Sequence, residues 1–376
     1  MPALLPQPDP AGLLEYSVVY TDRALNHMSQ RFQGVMRDIS RIVKAVYRAR
    51  SAVIVPGSGT FGMEAVARQF ATDKRCLIIR NGWFSYRWTQ ILEMGRIASE
   101  TQVLKARRIG EGAATPFAPV PIEEAVAVIL DFKPDVVFAP HVETSAGMIL
   151  PDDYLTRLAA AVHAVGGLLM LDCIASGTVW VDMAATGVDV LVSAPQKGWS
   201  GPPCCGIVAL SDRARVRIDE TTSSSFACDL KKWLQIMEAY ESGAFAYHAT
   251  MPTDALAVVR DVMLETEALG FATIAERQKS LGAQVRAMLA ERGFRSVAAA
   301  GFEAPGVVVS YTTNPAMQSG KAFANAGLQI AAGVPLQCDE GSDFRTFRIG
   351  LFGLDKLLNI PRTLVSLTAA LDSIQE

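Results

Sequence analysis

The chain has 376 residues, half of them apolar, with 19% charged and a formal net charge of −3. That composition excludes a largely disordered chain, which needs low hydrophobicity and high net charge, and it supplies no basic field for nucleic acid. No run of about 18 apolar residues survives the scattered Gly, Pro and charged positions, so no membrane span is expected.

Residues 1–22 are Pro-rich at the start and are expected to form an N-terminal arm. From about Arg23 to Arg48 the apolar spacing is helical. Short β-rich runs then alternate with helical ones. The runs are Ala52–Val55, Cys76–Ile79, Val136–Phe138, Leu168–Leu171, Val188–Val192 and Ile207–Leu210. Nearly continuous apolar strands separated by helices imply an α/β fold with a mostly parallel sheet covered on both faces. After about Pro252 the pattern changes to long helices, near 253–268 and 270–292. Strands follow at 306–310 and 344–348, and a last helix runs from about Leu354 to Ser373. This divides the chain into a large domain over 23–255 and a smaller α+β domain over 256–376.

Six cysteines lie at 76, 173, 204, 205, 228 and 338, with no C-x-x-C and no Cys/His pair at zinc spacing. No metal site is expected. Together with an N-terminus that lacks a basic stretch followed by an apolar one, this sets the expectation of a cytoplasmic protein.

In an open α/β sheet, ligands bind beyond the carboxyl ends of the strands. After the first strand comes Gly57-Ser58-Gly59-Thr60-Phe61-Gly62, which matches G-x-G-x-x-G before a helix. An acidic residue about 20 positions on, which a dinucleotide site uses for a ribose hydroxyl, is missing. What remains is backbone N–H groups at a helix start, suited to a phosphate, or a tight turn with no ligand. The strand at 168–171 ends in Asp172, a carboxylate that is costly to bury unpaired, or else a cap on the next turn. Twenty-five residues later Lys197 sits between two apolar strands, either desolvated and nucleophilic or reaching solvent. Phosphate loop, strand-end Asp and strand-end Lys together describe a pyridoxal phosphate site: lysine for the aldehyde, aspartate for the pyridine nitrogen, loop for the phosphate.

Further motifs sharpen this. They are Asn81-Gly82-Trp83-Phe84, His141-Val142-Glu143-Thr144-Ser145, Asp172-Cys173-Ile174-Ala175-Ser176, Gln196-Lys197-Gly198, Tyr247-His248-Ala249-Thr250 and Phe347-Arg348-Ile349-Gly350. With the glycine loop they make the chain, from about Leu25 to Glu376, resemble the class V aminotransferases of pyridoxal-phosphate fold type I. The likeness is to the alanine–glyoxylate and serine–pyruvate members. The resemblance implies a large domain with a seven-stranded type of mostly parallel sheet, and pyridoxal 5'-phosphate as cofactor. It implies an amino group moved from a small amino acid to a 2-oxo acid such as pyruvate or glyoxylate, through a Lys197 Schiff base and a pyridoxamine form. By the same resemblance Ser58, Gly59, Thr60 and Gln196 would serve the phosphate and Phe84 would stack on the ring. Thr144 would approach the ring oxygen and Asp172 would pair with the ring nitrogen. Tyr247 and Thr250 would reach the phosphate of the other subunit of a homodimer, and Arg348 would grip the substrate carboxylate. Each has an ordinary alternative: Phe84 and Trp83 as core aromatics, Arg348 paired with a core carboxylate, Tyr247 at a domain border. His141 and Glu143 read as structural rather than catalytic.

The chain departs from the family where a Gly-Pro-Thr type of loop usually lines the substrate pocket. Here Tyr16–His27 contains neither Gly nor Pro, and Tyr20, Thr21, Asp22 or Arg23 is expected to take its place. The alternatives on the same fold are a lyase or cysteine desulfurase, with Cys338 as the thiol, and a non-catalytic pyridoxal phosphate-binding protein.

Overall fold

A computed structural model describes residues 13–375, so the first twelve residues of the expected arm lie outside the described residues. Helix α1 (Gln30–Tyr47) begins later than the apolar spacing predicts. Local side-chain bonds hold the preceding residues in turns. Asn26 Oδ1 accepts from Met28 N at 2.8 Å, and Ser29 Oγ accepts from Phe32 N at 3.1 Å as the helix cap. Such bonds compete with the helix ladder and fix where it starts. Phe32, Val35, Met36, Ile39, Ile42 and Val43 then form one buried stripe.

Seven strands form the central sheet: β1 (Ser51–Pro56), β2 (Arg75–Arg80), β3 (Glu100–Lys105), β4 (Val136–Pro140), β5 (Leu168–Asp172), β6 (Val190–Ser193) and β7 (Cys205–Leu210). Their order is 1-7-6-5-4-2-3. The pairs 6–5, 5–4, 4–2 and 2–3 are parallel, whereas β7 is antiparallel to both of its neighbours, β1 and β6. Two reversals restore direction, so β1 points the same way as β6. The mostly parallel seven-stranded sheet expected from the sequence is present. Strand β3 escaped the apolar-run reading because it is an edge strand, Glu-Thr-Gln-Val-Leu-Lys, half exposed along its length.

The glycine motif has a packing role besides any ligand. Helix α2 (Gly59–Phe70) lies against β6 and β7. A Cβ on Gly62 would stand 3.3 Å from Gly206 Cα, and one on Gly206 would stand 2.8 Å from Gly62 Cα and 3.0 Å from Ser58 O. Two facing glycines let the helix sit directly on β7.

Beyond the sheet, strands Val307–Tyr311, Thr346–Gly350 and Ala331–Ala332 make a small antiparallel sheet, with the Thr346 strand in the middle. It packs with Leu281, Val285, Phe323 and Leu371. Helix Thr253–Leu269 serves both layers: Leu256, Val259 and Met263 belong to the main core, while Val262 and Leu269 face the second. The expected single last helix is two, Leu354–Leu358 and Ile360–Gln375. Pro361 accounts for the break, since its ring and missing N–H are tolerated only in a first helical turn.

Gly206→Ala is expected to force the α2 start off β7 and to cost about 1–3 kcal/mol, as overpacking does. Urea denaturation of the variant measures this, and an unchanged midpoint would contradict the close approach.

Candidate active site

Five strands that point the same way deliver their following residues to one end of the sheet. β1 leads through Pro56 and Gly57, whose φ of +120° turns the chain, into Ser58 and the start of α2. β2 leads into Asn81–Phe84 and helix α3 (Tyr86–Gly95), and β4 into His141–Ser145. β5 ends in Asp172 itself, and β6 runs into Gln196–Lys197. These segments enclose a cavity of about 190 Å³, lined by Ser58, Gly59, Thr60, Phe84, Thr144, Asp172, Gln196 and Lys197 among others. Eight of the ten residues expected to bind the cofactor are thus in one place. Met63, Arg87, Val142, Ile174 and Ala175 also line it. Arg87 was missed by sequence reading; its position three residues after Phe84, in the first turn of α3, is the signal that would have found it.

Asp172 is buried and accepts one hydrogen bond, from Ile174 N at 2.9 Å. It has no ion pair among the described residues. Burial pushes its carboxyl up to about 7, and the neighbouring Glu143 charge adds to the rise. Lys197 makes no hydrogen bond or ion pair among the described residues, and its Nζ stands 5.6 Å from the Phe352 ring centroid. Burial lowers its pKa; Asp172 opposes this, and Arg348 and Arg87 reinforce it. A larger fraction of free amine at neutral pH follows, which is the nucleophilic form.

Phe84 is held at the cavity by a clasp. The fully buried Glu143 accepts Phe84 N at 3.2 Å, Ser85 N at 2.8 Å, Ser85 Oγ at 2.7 Å, Ser145 N at 3.1 Å and Ser145 Oγ at 2.7 Å. Trp83 instead turns to Tyr86, with ring centroids 6.0 Å apart, and does not line the cavity. His141 is buried with Nδ1 2.7 Å from Ser176 Oγ, and burial brings it down to about 4, so it is neutral.

Arg348 stands at the rim. Its Nε donates to Ala332 O at 2.7 Å and its Cζ lies 5.4 Å from the Phe84 ring centroid. It has no ion pair among the described residues, so the reading as a partner of a core carboxylate does not hold. Tyr247 and Thr250 lie outside the cavity. Their hydroxyls are 3.1 Å apart and Tyr247 is 54% exposed. Tyr20 also stays outside: its hydroxyl donates to Met251 O at 3.2 Å and its ring meets His27, which in turn meets Tyr247. Cys338 is buried and pushed up to about 12, with Sγ 3.4 Å from Arg80 O, so it offers no reactive thiolate. All six cysteines are free. Among the described residues, no group of three or more His, Cys, Asp or Glu is placed to hold a metal, and no helix is long and apolar enough to cross a membrane.

The family model for aminotransferase class-V matches residues 13–334. The chain belongs to the class V aminotransferases. A 2-aminoethylphosphonate–pyruvate transaminase of Paraburkholderia phymatum is 30% identical over 360 residues, covering 92% of this chain and 90% of that one. Alanine–glyoxylate aminotransferase of Rattus norvegicus is 25% identical over 279 residues, covering 73% of this chain. The match spans 64% of the rat protein, just under two thirds of its length. Among solved structures, an alanine–glyoxylate aminotransferase from Nostoc sp. has the same fold, with a TM-score of 0.78 at 21% identity over 94% of this chain and 89% of that one.

Class V aminotransferases are pyridoxal phosphate enzymes, and the cavity fits the cofactor. Asp172 is a buried carboxylate in want of a cation, which a protonated pyridine nitrogen supplies. A Cβ on Gly59 would fall 2.6 Å from Ile174 Cδ1 on the cavity wall, so glycine keeps the cradle open.

The aspartate makes a test on the apoprotein. The folded chain holds the Asp172 proton more tightly than the unfolded one, so this group's contribution to wild-type stability falls as pH rises from about 4 to about 7. Asp172→Asn does not titrate. Its stability relative to wild type is expected to climb across that window, by up to about 4 kcal/mol for a shift of roughly three units. Urea denaturation at pH 4.5 and pH 8 checks it; parallel changes in the two proteins would remove the costly buried carboxylate.

Proposed function

We propose that this chain moves an amino group from a small amino acid, alanine- or serine-like, to a 2-oxo acid such as pyruvate or glyoxylate, using pyridoxal phosphate in a homodimer. One observation carries the reading: Lys197 with lowered pKa and Asp172 with raised pKa line a single cavity with the glycine loop and Phe84. When bound, the cofactor supplies an aldehyde for a lysine and a ring that withdraws electrons.

The chain's residues divide the remaining work. Backbone N–H groups at Ser58, Gly59 and Thr60 start α2 and have no partner within it, so they bind the phosphate, with Gln196 beside them. Asp172 would pair with the ring nitrogen and stabilise positive charge on it. Phe84, fixed through its backbone by Glu143, presents an aromatic face to a flat ring. Thr144 brings a hydroxyl to the ring edge. Lys197 would hold the aldehyde through Nζ, the carbonyl oxygen leaving as water. Its amine, kept partly unprotonated by burial, would also be placed to take up a proton from the donor carbon and to return it. Arg348 is the unpaired guanidinium at the rim, suited to a carboxylate. The burial that lowers the Lys197 pKa therefore serves both nucleophile and base.

The homodimer accounts for Tyr247 and Thr250. They project from a surface that carries the exposed rings of Phe226 and Phe245, and Tyr20 is tied to the same patch through His27. In this reading residues 247–250 complete the partner's phosphate site, and residues 20–23 stand at its substrate end in place of a Gly-Pro-Thr loop. Six free, buried cysteines accord with a cytoplasmic enzyme. A division of the chain near residue 255 lets the layer that carries Arg348 move against the layer that carries Lys197.

A second reading keeps the 2-oxo acid acceptor and replaces the donor's carboxylate with a phosphonate. The longer match to a 2-aminoethylphosphonate–pyruvate transaminase favours it. A desulfurase lacks its thiolate, since Cys338 is buried and protonated.

The purified protein is expected to show a visible absorption band of lysine-bound cofactor that Lys197→Ala abolishes, with activity falling by more than about a thousandfold. Adding L-alanine, L-serine or 2-aminoethylphosphonate bleaches that band if the compound is a donor, and pyruvate or glyoxylate restores it. A band that no donor bleaches would contradict the transaminase; no band after cofactor addition would contradict the site.

A further inference from the structure

The cavity has two cationic side chains on its wall, Lys197 and Arg87. Lys197 is committed to the aldehyde in the function proposed above, on which the present inference rests. A phosphate at the glycine loop would then meet only neutral donors: three backbone N–H groups, the Ser58 and Thr60 hydroxyls and the Gln196 amide. The end of a helix contributes roughly half a positive charge. The phosphate monoester carries about −1.5 to −2 at neutral pH. More than one unit of charge remains unmatched in a site partly shielded from water.

Arg87 is placed to match it. It enters the first turn of α3, and Nη1 lies 3.4 Å from Thr60 Oγ1, on the second residue of α2. Its Cζ is 4.8 Å from the Phe84 ring centroid, so stacking on that ring fixes the guanidinium plane. Arg87 has no ion pair among the described residues, so most of its five N–H donors are uncommitted. Its charge also reaches into the pocket: it favours the ionised form of Asp172 and the neutral form of Lys197.

We propose that Arg87 binds the cofactor's phosphate, as the charged partner that the glycine loop lacks in its own subunit. Phe84 then has two roles, facing the ring and orienting Arg87.

The experiment compares pyridoxal phosphate with pyridoxal, which has the same ring and aldehyde without the phosphate. Apoprotein is prepared from wild type, Arg87→Met and Arg87→Lys, and each ligand is titrated by tryptophan fluorescence quenching at low and high salt. Arg87→Met is expected to weaken pyridoxal phosphate about 10–100-fold, as loss of a charge-assisted bond does, and to change pyridoxal less than about threefold. Its pyridoxal phosphate binding should also lose salt dependence. Arg87→Lys, which keeps the charge without the fork, falls between the two and guards against misfolding of the methionine variant. Equal weakening of both ligands would make Arg87 a mere support for Phe84 and overturn the proposal, as would no weakening of either. If wild type takes up neither ligand, the cofactor site itself fails, and a saturable wild-type curve separates that failure from this one.

Discussion

The interaction on which this site depends is one that the protein alone does not complete. Asp172 ends the central strand of the sheet, with β4 on one side and β6 on the other, and its carboxylate is buried with a single N–H donor. Taking such a group out of water without a cation costs several kcal/mol, and the rise of its pKa to about 7 expresses that cost. A protonated ring nitrogen entering the cavity removes it. In the function proposed here, the cofactor would be held partly by relief of an unfavourable charge state built into the sheet.

The direction of the strands follows from the same requirement. The glycine loop, Phe84, Asp172 and Lys197 come from the ends of β1, β2, β5 and β6, and they converge only because these strands are codirectional. β7 is the reversed strand that keeps β1 in register with the rest. Its Gly206 gives α2 room, and its residue just before the strand, Cys204, accepts Gly57 N at 2.9 Å. Thus the antiparallel strand contributes no side chain to the cavity and still fixes the height of the glycine loop. This is why a G-x-G-x-x-G motif occurs without a dinucleotide: the third glycine is required by the α2–β7 approach.

Much of this was readable in the residues. Continuous apolar runs mark strands buried on both faces, and the polar residue at the end of such a run is conspicuous because burial makes it costly. Asp172 and Lys197 stand out on that ground, and the motifs around them led to Phe84, Thr144 and Gln196. Three features were not readable, each for a physical reason. β3 is an edge strand with a polar sequence. The break at Asn359 hides inside an unbroken helical periodicity. Arg87 looks like any arginine on an amphipathic helix until the fold brings Thr60 and Phe84 to it. Glu143 was read as structural, and the fold gives it that work: one carboxylate gathers donors from two loops that are 58 residues apart in sequence.

That clasp sets a limit on how the cavity's charges can be rearranged. Glu143 is a buried carboxyl near Asp172, and its charge raises the cost of ionising Asp172. Arg87 and Arg348 lie on the opposite side of the balance, and both suppress the charge on Lys197. Removing either arginine would let Lys197 hold its proton more firmly, and removing Arg87 would make Asp172 harder to keep ionised. The two arginines meet at Phe84, where both guanidinium groups lie within 5.4 Å of the ring centroid. A single aromatic side chain, fixed by Glu143 through its backbone, is thereby the common neighbour of both positive charges at the cavity.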